Sequence, residues 1–155
     1  MYEKGFRDFL YLNEILPYKN NKNWKSLKVE HKIKTPEEQK SDKKNLTLQF
    51  ENVGFKTGLY LYENNKGEVL YIGKGMNKNE GILERIKSYY QKACNGDFKP
   101  KNQRHMDLIK LFRTNFGEIN IYVFHMDDDN EAILIEEILT RELKPLYIQK
   151  YRQNT

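Results

Sequence analysis

Two strand-like runs flank a single turn in the stretch TGLYLYENNKGEVLYIGKG, Thr57 to Gly75, and constrain the fold of this chain more than any other feature. Alternating apolar and aromatic residues, broken by Asn64-Asn65-Lys66-Gly67, predict a β-hairpin. A register symmetric about that turn sets Tyr60 opposite Tyr71 and Gly58 opposite Gly73. Side chains alternate along a strand, so these four share one face, while Leu59, Leu61, Leu70 and Ile72 form an apolar floor on the other. The first face then carries two adjacent phenols beside a hollow left by two glycines. On the hairpin alone, aromatic cross-strand packing and a glycine bend account for the pattern better than a site does, and a site requires more residues.

A chain of 155 residues with 38% hydrophobic and 32% charged content suits one modest core with a wide polar surface. The lone Cys94 excludes an internal disulfide and a cysteine-based zinc site. No apolar run reaches membrane-spanning length and the start, MYEKGFRDFL, lacks a signal-peptide core, so a cytoplasmic protein without membrane association is expected. Charge is unevenly placed: residues 78–113 hold nine Lys or Arg against four Asp or Glu, and residues 114–155 hold four against eight. The basic middle, interleaved with Tyr89, Tyr90, Phe98 and Phe112, fits a phosphate-backbone footprint; a solvated helical surface fits it equally.

Helical spacing in FRDFLYLNEIL predicts a short helix over residues 6–16, ending before Pro17. Residues 18–45 are rich in Lys and Asn and read as an arm or poorly ordered linker, with NLTLQFENV as an edge strand leading into the hairpin. Beyond the hairpin, NEGILERIKSYYQKA and RHMDLIKLFRTN carry helical periodicity, EINIYVFHM reads as a central strand, and DDDN caps a helix through EAILIEEILTREL. The boundaries expected are an N-terminal helical and extended arm, 1–52, and an α/β domain, 53–155, with helices packed on a small sheet.

Two charged residues sit awkwardly on their helices. Glu136 has Ala132, Ile133, Leu139 and Thr140 three and four residues away, a small and apolar surround that disfavours a carboxylate unless a cation or a hydrogen-bond donor satisfies it. Arg85 lies beside Ile82 and Tyr89, where its stem can pack against apolar surface or its guanidinium can hold a phosphate. Asp127 to Asp129 are better read as helix-capping acids than as metal ligands, and His31, His105 and His125 show no ligand spacing. YIGKG lacks the Lys-Ser or Lys-Thr ending of a nucleotide loop.

Taken together, GLY at 58–60, YIG at 71–73 with ten residues between the two tyrosines, RIKSYY from Arg85, and AILIEEILTRELKPLY resemble the GIY-YIG nuclease family in the family's own order over roughly residues 55–148. The resemblance implies a three-stranded antiparallel sheet flanked by helices and metal-dependent hydrolysis of DNA phosphodiesters, with double-stranded DNA the favoured substrate. Carried over residue by residue, Glu136 would hold one Mg²⁺ or Mn²⁺ and Arg85 would stabilise the phosphate. Tyr60 or Tyr71 would help activate water, Lys74 would assist electrostatically, and Tyr89 matches a position where the family places Tyr or His. Gly58 and Gly73 are the glycines of the two motifs, and the hollow they leave would admit the scissile backbone. A phenol has an ordinary pKa of about 10, so charge from Lys74, Arg85 and the metal is expected to favour the phenolate.

Two departures from the family pattern stand out. Ile148 occupies a position where many members carry Asn, and KGMNKNEGILE, between Gly73 and Arg85, is longer than in compact members. The alternative expectation is a catalytically impaired nucleic-acid-binding module on the same fold. One active site cuts one strand, so paired cuts would need a homodimer or sequential nicking.

Overall fold

The hairpin forms at the expected turn but not in the symmetric register. A computed structural model describes residues 2–52, 56–76 and 81–147. Strand β2 (Gly58–Glu63) pairs with β3 (Val69–Gly75) so that Tyr60 faces Gly73, Tyr62 faces Tyr71 and Gly58 faces Gly75. The turn closes between Asn64 and Glu68, which shifts the register by one residue, and a bulge adds a second: Glu63 pairs with Val69 and Tyr62 with Tyr71, leaving Leu70 as an extra residue on β3. The bulge also returns Leu70 to the tyrosine face, where it joins the cluster of Tyr60, Tyr62 and Tyr71, rather than the floor of Leu59, Leu61 and Ile72. Asn64 holds the turn: its side-chain Oδ1 accepts from the backbone N–H of Lys66 and Glu68 at 3.0 and 2.9 Å, and Gly67 adopts φ 80°.

The sheet has four antiparallel strands in the order β1-β4-β2-β3, not the three expected. The additional strand is β1 (Trp24–His31), which pairs along its whole length with β4 (Gly117–His125) at the edge remote from β3. Residues 18–45 are therefore not a loose linker. The Trp24 indole donates to the Ile15 carbonyl at 2.7 Å, and the buried Glu63 carboxylate at the end of β2 accepts from Tyr18 and pairs with Lys19 at 2.9 Å.

NLTLQFENV does not supply a strand either. Its first six residues end helix α2 (Pro36–Phe50). Pro36 opens the helix, and Thr35 and Glu38 close a reciprocal capping box that satisfies two of its orphan N–H groups. Leu46 and Phe50, one turn apart, turn inward and Leu48 remains exposed, so the period is helical despite the alternating pattern.

Helix α1 (Tyr2–Leu12) starts and ends four residues earlier than expected, with Glu14 at φ 59° beyond it, whereas α3 (Gly81–Cys94), α4 (Gln103–Thr114) and α5 (Asp129–Leu143) follow the sequence reading closely, the last capped by Asp128, whose carboxylate accepts from the Asn130 and Glu131 N–H groups. Two apolar layers enclose the sheet. On the tyrosine face, residues from α2, α3 and α4 pack around Tyr60, Tyr62, Tyr71, Tyr89 and Phe112. On the other face, α1 and α5 cover Leu59, Leu61 and Ile72, and Arg7 binds Glu142 at 2.6 Å between those two helices. Among the described residues, no helix is long and apolar enough to cross a membrane.

Candidate active site

Tyr60 and Tyr71 point from neighbouring strands toward α3, which meets them with Tyr89. The Tyr60 hydroxyl donates to that of Tyr89 at 3.2 Å, and the Tyr71 and Tyr89 hydroxyls lie 3.1 Å apart. Three phenols are thus joined through one central oxygen. All are buried, and their rings pack tilted or edge-on with centroids 5.3 to 6.0 Å apart.

The glycine hollow expected beside them is filled. A side-chain carbon added at Gly73 would stand 2.3 Å from the Tyr60 oxygen, because the Tyr60 ring lies across its cross-strand partner. At Gly58 the same addition would meet the Phe124 carbonyl at 2.3 Å and Ile82 Cδ1 at 2.5 Å. These glycines let an aromatic ring and the first turn of α3 reach the sheet; they do not leave a channel for a substrate backbone.

Burial opposes the expected electrostatics of the phenols. Desolvation pushes Tyr60 well above the ordinary tyrosine range, reinforced by its phenolic neighbours. It raises Tyr71 as well, but there the guanidinium of Arg104 pulls the other way. Arg104 stands in the first turn of α4.

Lys74 and Glu136 meet on the opposite face of β3. Alternation sets Lys74 with Ile72 toward α5, where its Nζ binds Glu136 Oε2 at 3.0 Å. Glu136 is flanked on its helix by the buried Ala132, Leu139 and Thr140, and its side chain is 13% exposed. A donor does satisfy the awkward carboxylate, and the donor is Lys74; the other oxygen, Oε1, has no partner among the described residues. The two halves of the constellation are linked around the β3 edge: past α5 the chain crosses to the tyrosine face, where the Tyr147 ring packs against Tyr71 at 5.2 Å.

Arg85 lies one helical turn before Tyr89, half-buried, with no hydrogen bond or ion pair to a described residue. Ile148 and residues 77–80 of the long KGMNKNEGILE segment lie outside the described residues. Of Asp127 to Asp129, Asp128 caps α5, Asp129 accepts from the Thr57 hydroxyl and Asp127 pairs with His125 at 3.2 Å.

With the hairpin tyrosines, the α3 arginine and the α5 glutamate in place, comparison with known families agrees with the motifs. Residues 56–148 match the UvrC-like GIY-YIG domain, and the chain belongs to the GIY-YIG nuclease superfamily. It is similar to UvrABC system protein C of Clostridium botulinum (strain Hall), 29% identical over 102 residues that make up 66% of this chain and 14% of the relative. The protein of the same name from Mycoplasmoides gallisepticum is 33% identical over 104 residues, with the same shares. The chain thus spans 14% of the length of these curated relatives. Strand β1 and helix α2 precede the matched residues, which is why the family pattern gave three strands and the sheet has four.

Proposed function

We propose that this protein is a metal-dependent endonuclease that hydrolyses DNA phosphodiester bonds, with residues 53–155 as the nuclease unit and residues 1–52 as an added layer of helix and strand. The observation that carries this reading is the convergence on one edge strand of a hydrogen-bonded phenol on one face and a lysine-held carboxylate on the other.

The donor set fits a largely hydrated divalent ion. Mg²⁺ normally keeps several waters and needs only one or two protein carboxylates, and Glu136 offers Oε1 while Lys74 orients the group through Oε2. A bound Mg²⁺ or Mn²⁺ would supply Lewis-acid stabilisation of charge developing on the phosphate.

The chain's own residues divide the remaining work. Arg85, a half-buried guanidinium without a described partner, donates in bidentate fashion to the two non-bridging phosphate oxygens. Tyr71 takes a proton from the attacking water, Tyr60 being the more deeply enclosed of the two hairpin phenols. Tyr89 fixes the direction of the Tyr71 hydroxyl, and Tyr60, fully enclosed, fixes Tyr89. The basic run over residues 78–113 supports binding of the phosphate backbone, double-stranded DNA being the favoured form. Paired cuts would come from two copies of the chain or from successive nicks.

The test is incubation of labelled duplex and single-stranded DNA with the protein in Mg²⁺ and in excess chelator. Metal-dependent cutting of the duplex supports the reading. Salt-sensitive binding without cutting on several sequences would replace it with a nucleic-acid-binding module, the alternative that Ile148 favours.

A further inference from the structure

A cavity of about 470 Å³ opens between α4 and the segment that follows α3. Volumes of roughly 300 to 1,000 Å³ hold small organic ligands. Its floor is apolar, formed by Phe98, Met106 and Ile109, with Met106 half-exposed at its centre stripe on α4. Lys110, Arg113 and Thr114, three to eight residues further along the same helix, supply the polar side.

These polar groups are sparsely committed within the protein. Arg113 Nη2 makes one long bond, to the Asn95 carbonyl at 3.3 Å, and Nε has no partner among the described residues. A guanidinium carries five N–H donors, so most of them remain for a ligand. The Thr114 hydroxyl gives its proton to the Lys110 carbonyl at 2.6 Å, which leaves its oxygen as an acceptor. Lys110 is exposed and makes no ion pair with a described residue. Residues 98–113 hold five Lys or Arg against one acid, Asp107, whose carboxylate accepts from Gln103 at 3.0 Å. The cavity thus combines an apolar floor, donors and an acceptor at one edge, and surplus positive charge. A bare phosphate would leave the floor unused, and an apolar partner helix would leave the cations unpaired. A nucleotide satisfies all three, with an apolar base face, a polar base edge and a phosphate.

A second observation ties the cavity to the candidate active site. The buried Lys92 of α3 sets its ammonium over the Tyr89 ring at 5.1 Å and over the Phe98 ring at 5.9 Å, and donates to the Ser88 hydroxyl at 2.7 Å. One side chain therefore joins the cavity floor to the central phenol. Bases inside a duplex have their faces covered by stacking, so only an unpaired nucleotide can lay its base on Phe98 and Met106. We propose that this cavity receives the base of one unpaired nucleotide of a DNA substrate, with Lys110 and Arg113 holding its phosphate and base edge. The inference rests on the proposed function for the ligand being DNA, and it narrows the substrate to duplex with an unpaired nucleotide close to the cut.

Fluorescence anisotropy in chelator tests this without cleavage, comparing a labelled paired duplex with the same duplex carrying one extra, unpaired nucleotide. Stacking of a base on an aromatic side chain predicts that the wild type binds the bulged duplex about 10-fold more tightly. Met106→Glu sets a carboxylate in the cavity at an exposed position and is expected to shrink that preference to less than about 2-fold. Leu48→Glu makes the same charge change at an exposed position of α2, outside the cavity, and should keep the preference. Phe98→Ala should lose it as Met106→Glu does, with urea unfolding to check both folds. Equal affinity of the wild type for the two duplexes, or a preference that survives Met106→Glu, would overturn the proposal. Cleavage is then read separately in Mg²⁺. Cutting without any preference for the bulge would defeat the base site and leave the nuclease reading intact, whereas a preference lost in Met106→Glu without cutting would defeat the nuclease reading and leave the base site.

Discussion

The hydroxyls of Tyr71 and Tyr89 lie 3.1 Å apart inside the protein, and that of Tyr89 also receives the proton of Tyr60 at 3.2 Å. One oxygen therefore sets the direction of two others. Tyr89→Phe keeps the ring and removes the oxygen, leaving Tyr60 buried without its partner. The expected result is a stability loss of about 1–3 kcal/mol by urea unfolding and a cleavage rate reduced at least about 10-fold. Wild-type cleavage by this variant would remove Tyr89 from the site.

Arg85 predicts the opposite balance. Its guanidinium makes no hydrogen bond or ion pair with a described residue, so Arg85→Ala is expected to change stability by no more than about 0.5 kcal/mol. Cleavage is expected to fall by about 100-fold or more if the group clamps the phosphate in the transition state. Parallel melting and single-turnover curves separate the two effects, and a large stability loss with unchanged cleavage would refute the assignment.

Gly73 is fixed by the ring that crosses it. Gly73→Ala sets a methyl group against the Tyr60 oxygen and the ring carbons beside it, all within 2.6 Å of the added carbon. Overpacking of this kind costs about 1–3 kcal/mol and displaces Tyr60 from Tyr89. A variant as stable as the parent would show that the ring moves away without penalty.

His31 governs behaviour in acid. It is wholly buried at the end of β1 among Tyr62, Tyr90 and Phe112, with neither ring nitrogen hydrogen-bonded among the described residues. Burial, with Lys34 nearby, lowers its pKa from 6.5 to about 4. Above pH 6.5 the imidazole is neutral in folded and unfolded chains alike. Below that, the unfolded chain takes up a proton that the folded chain refuses until about pH 4, so stability falls by about 3 kcal/mol across this window. Urea midpoints at pH 7.5 and pH 5 should differ in the wild type and differ much less in His31→Leu. Equal pH sensitivity in the two proteins would assign the acid response to other groups.

Much of this arrangement was legible in the sequence, and the failures share a physical form. Periodicity placed α3, α4, β4 and α5 to within a few residues, and the crowding of Glu136 by Ala132 and Leu139 marked a carboxylate in need of a partner. The hairpin register escaped because the alternation does not reveal the extra residue at Leu70, and two positions of register decide whether Tyr60 meets Tyr71 or Gly73. Strand β1 escaped because Lys25, Ser26, Lys28 and Glu30 dilute its apolar face, and its stability comes from pairing with β4, far along the chain. Helix α2 escaped because its alternating residues mimic a strand; the capping box at Thr35 and Glu38 was the readable signal against that.

Glu136→Gln tests the central claim most directly. The substitution keeps the size of the side chain and removes its charge, so Lys74 loses its partner while the apolar contacts of α5 persist. With supercoiled plasmid and Mg²⁺, the wild type should convert the substrate to nicked or linear product. Chelator should stop that conversion, and Glu136→Gln should slow it at least about 100-fold with its folded state retained. Plasmid cleavage that proceeds at the wild-type rate in Glu136→Gln would contradict the account.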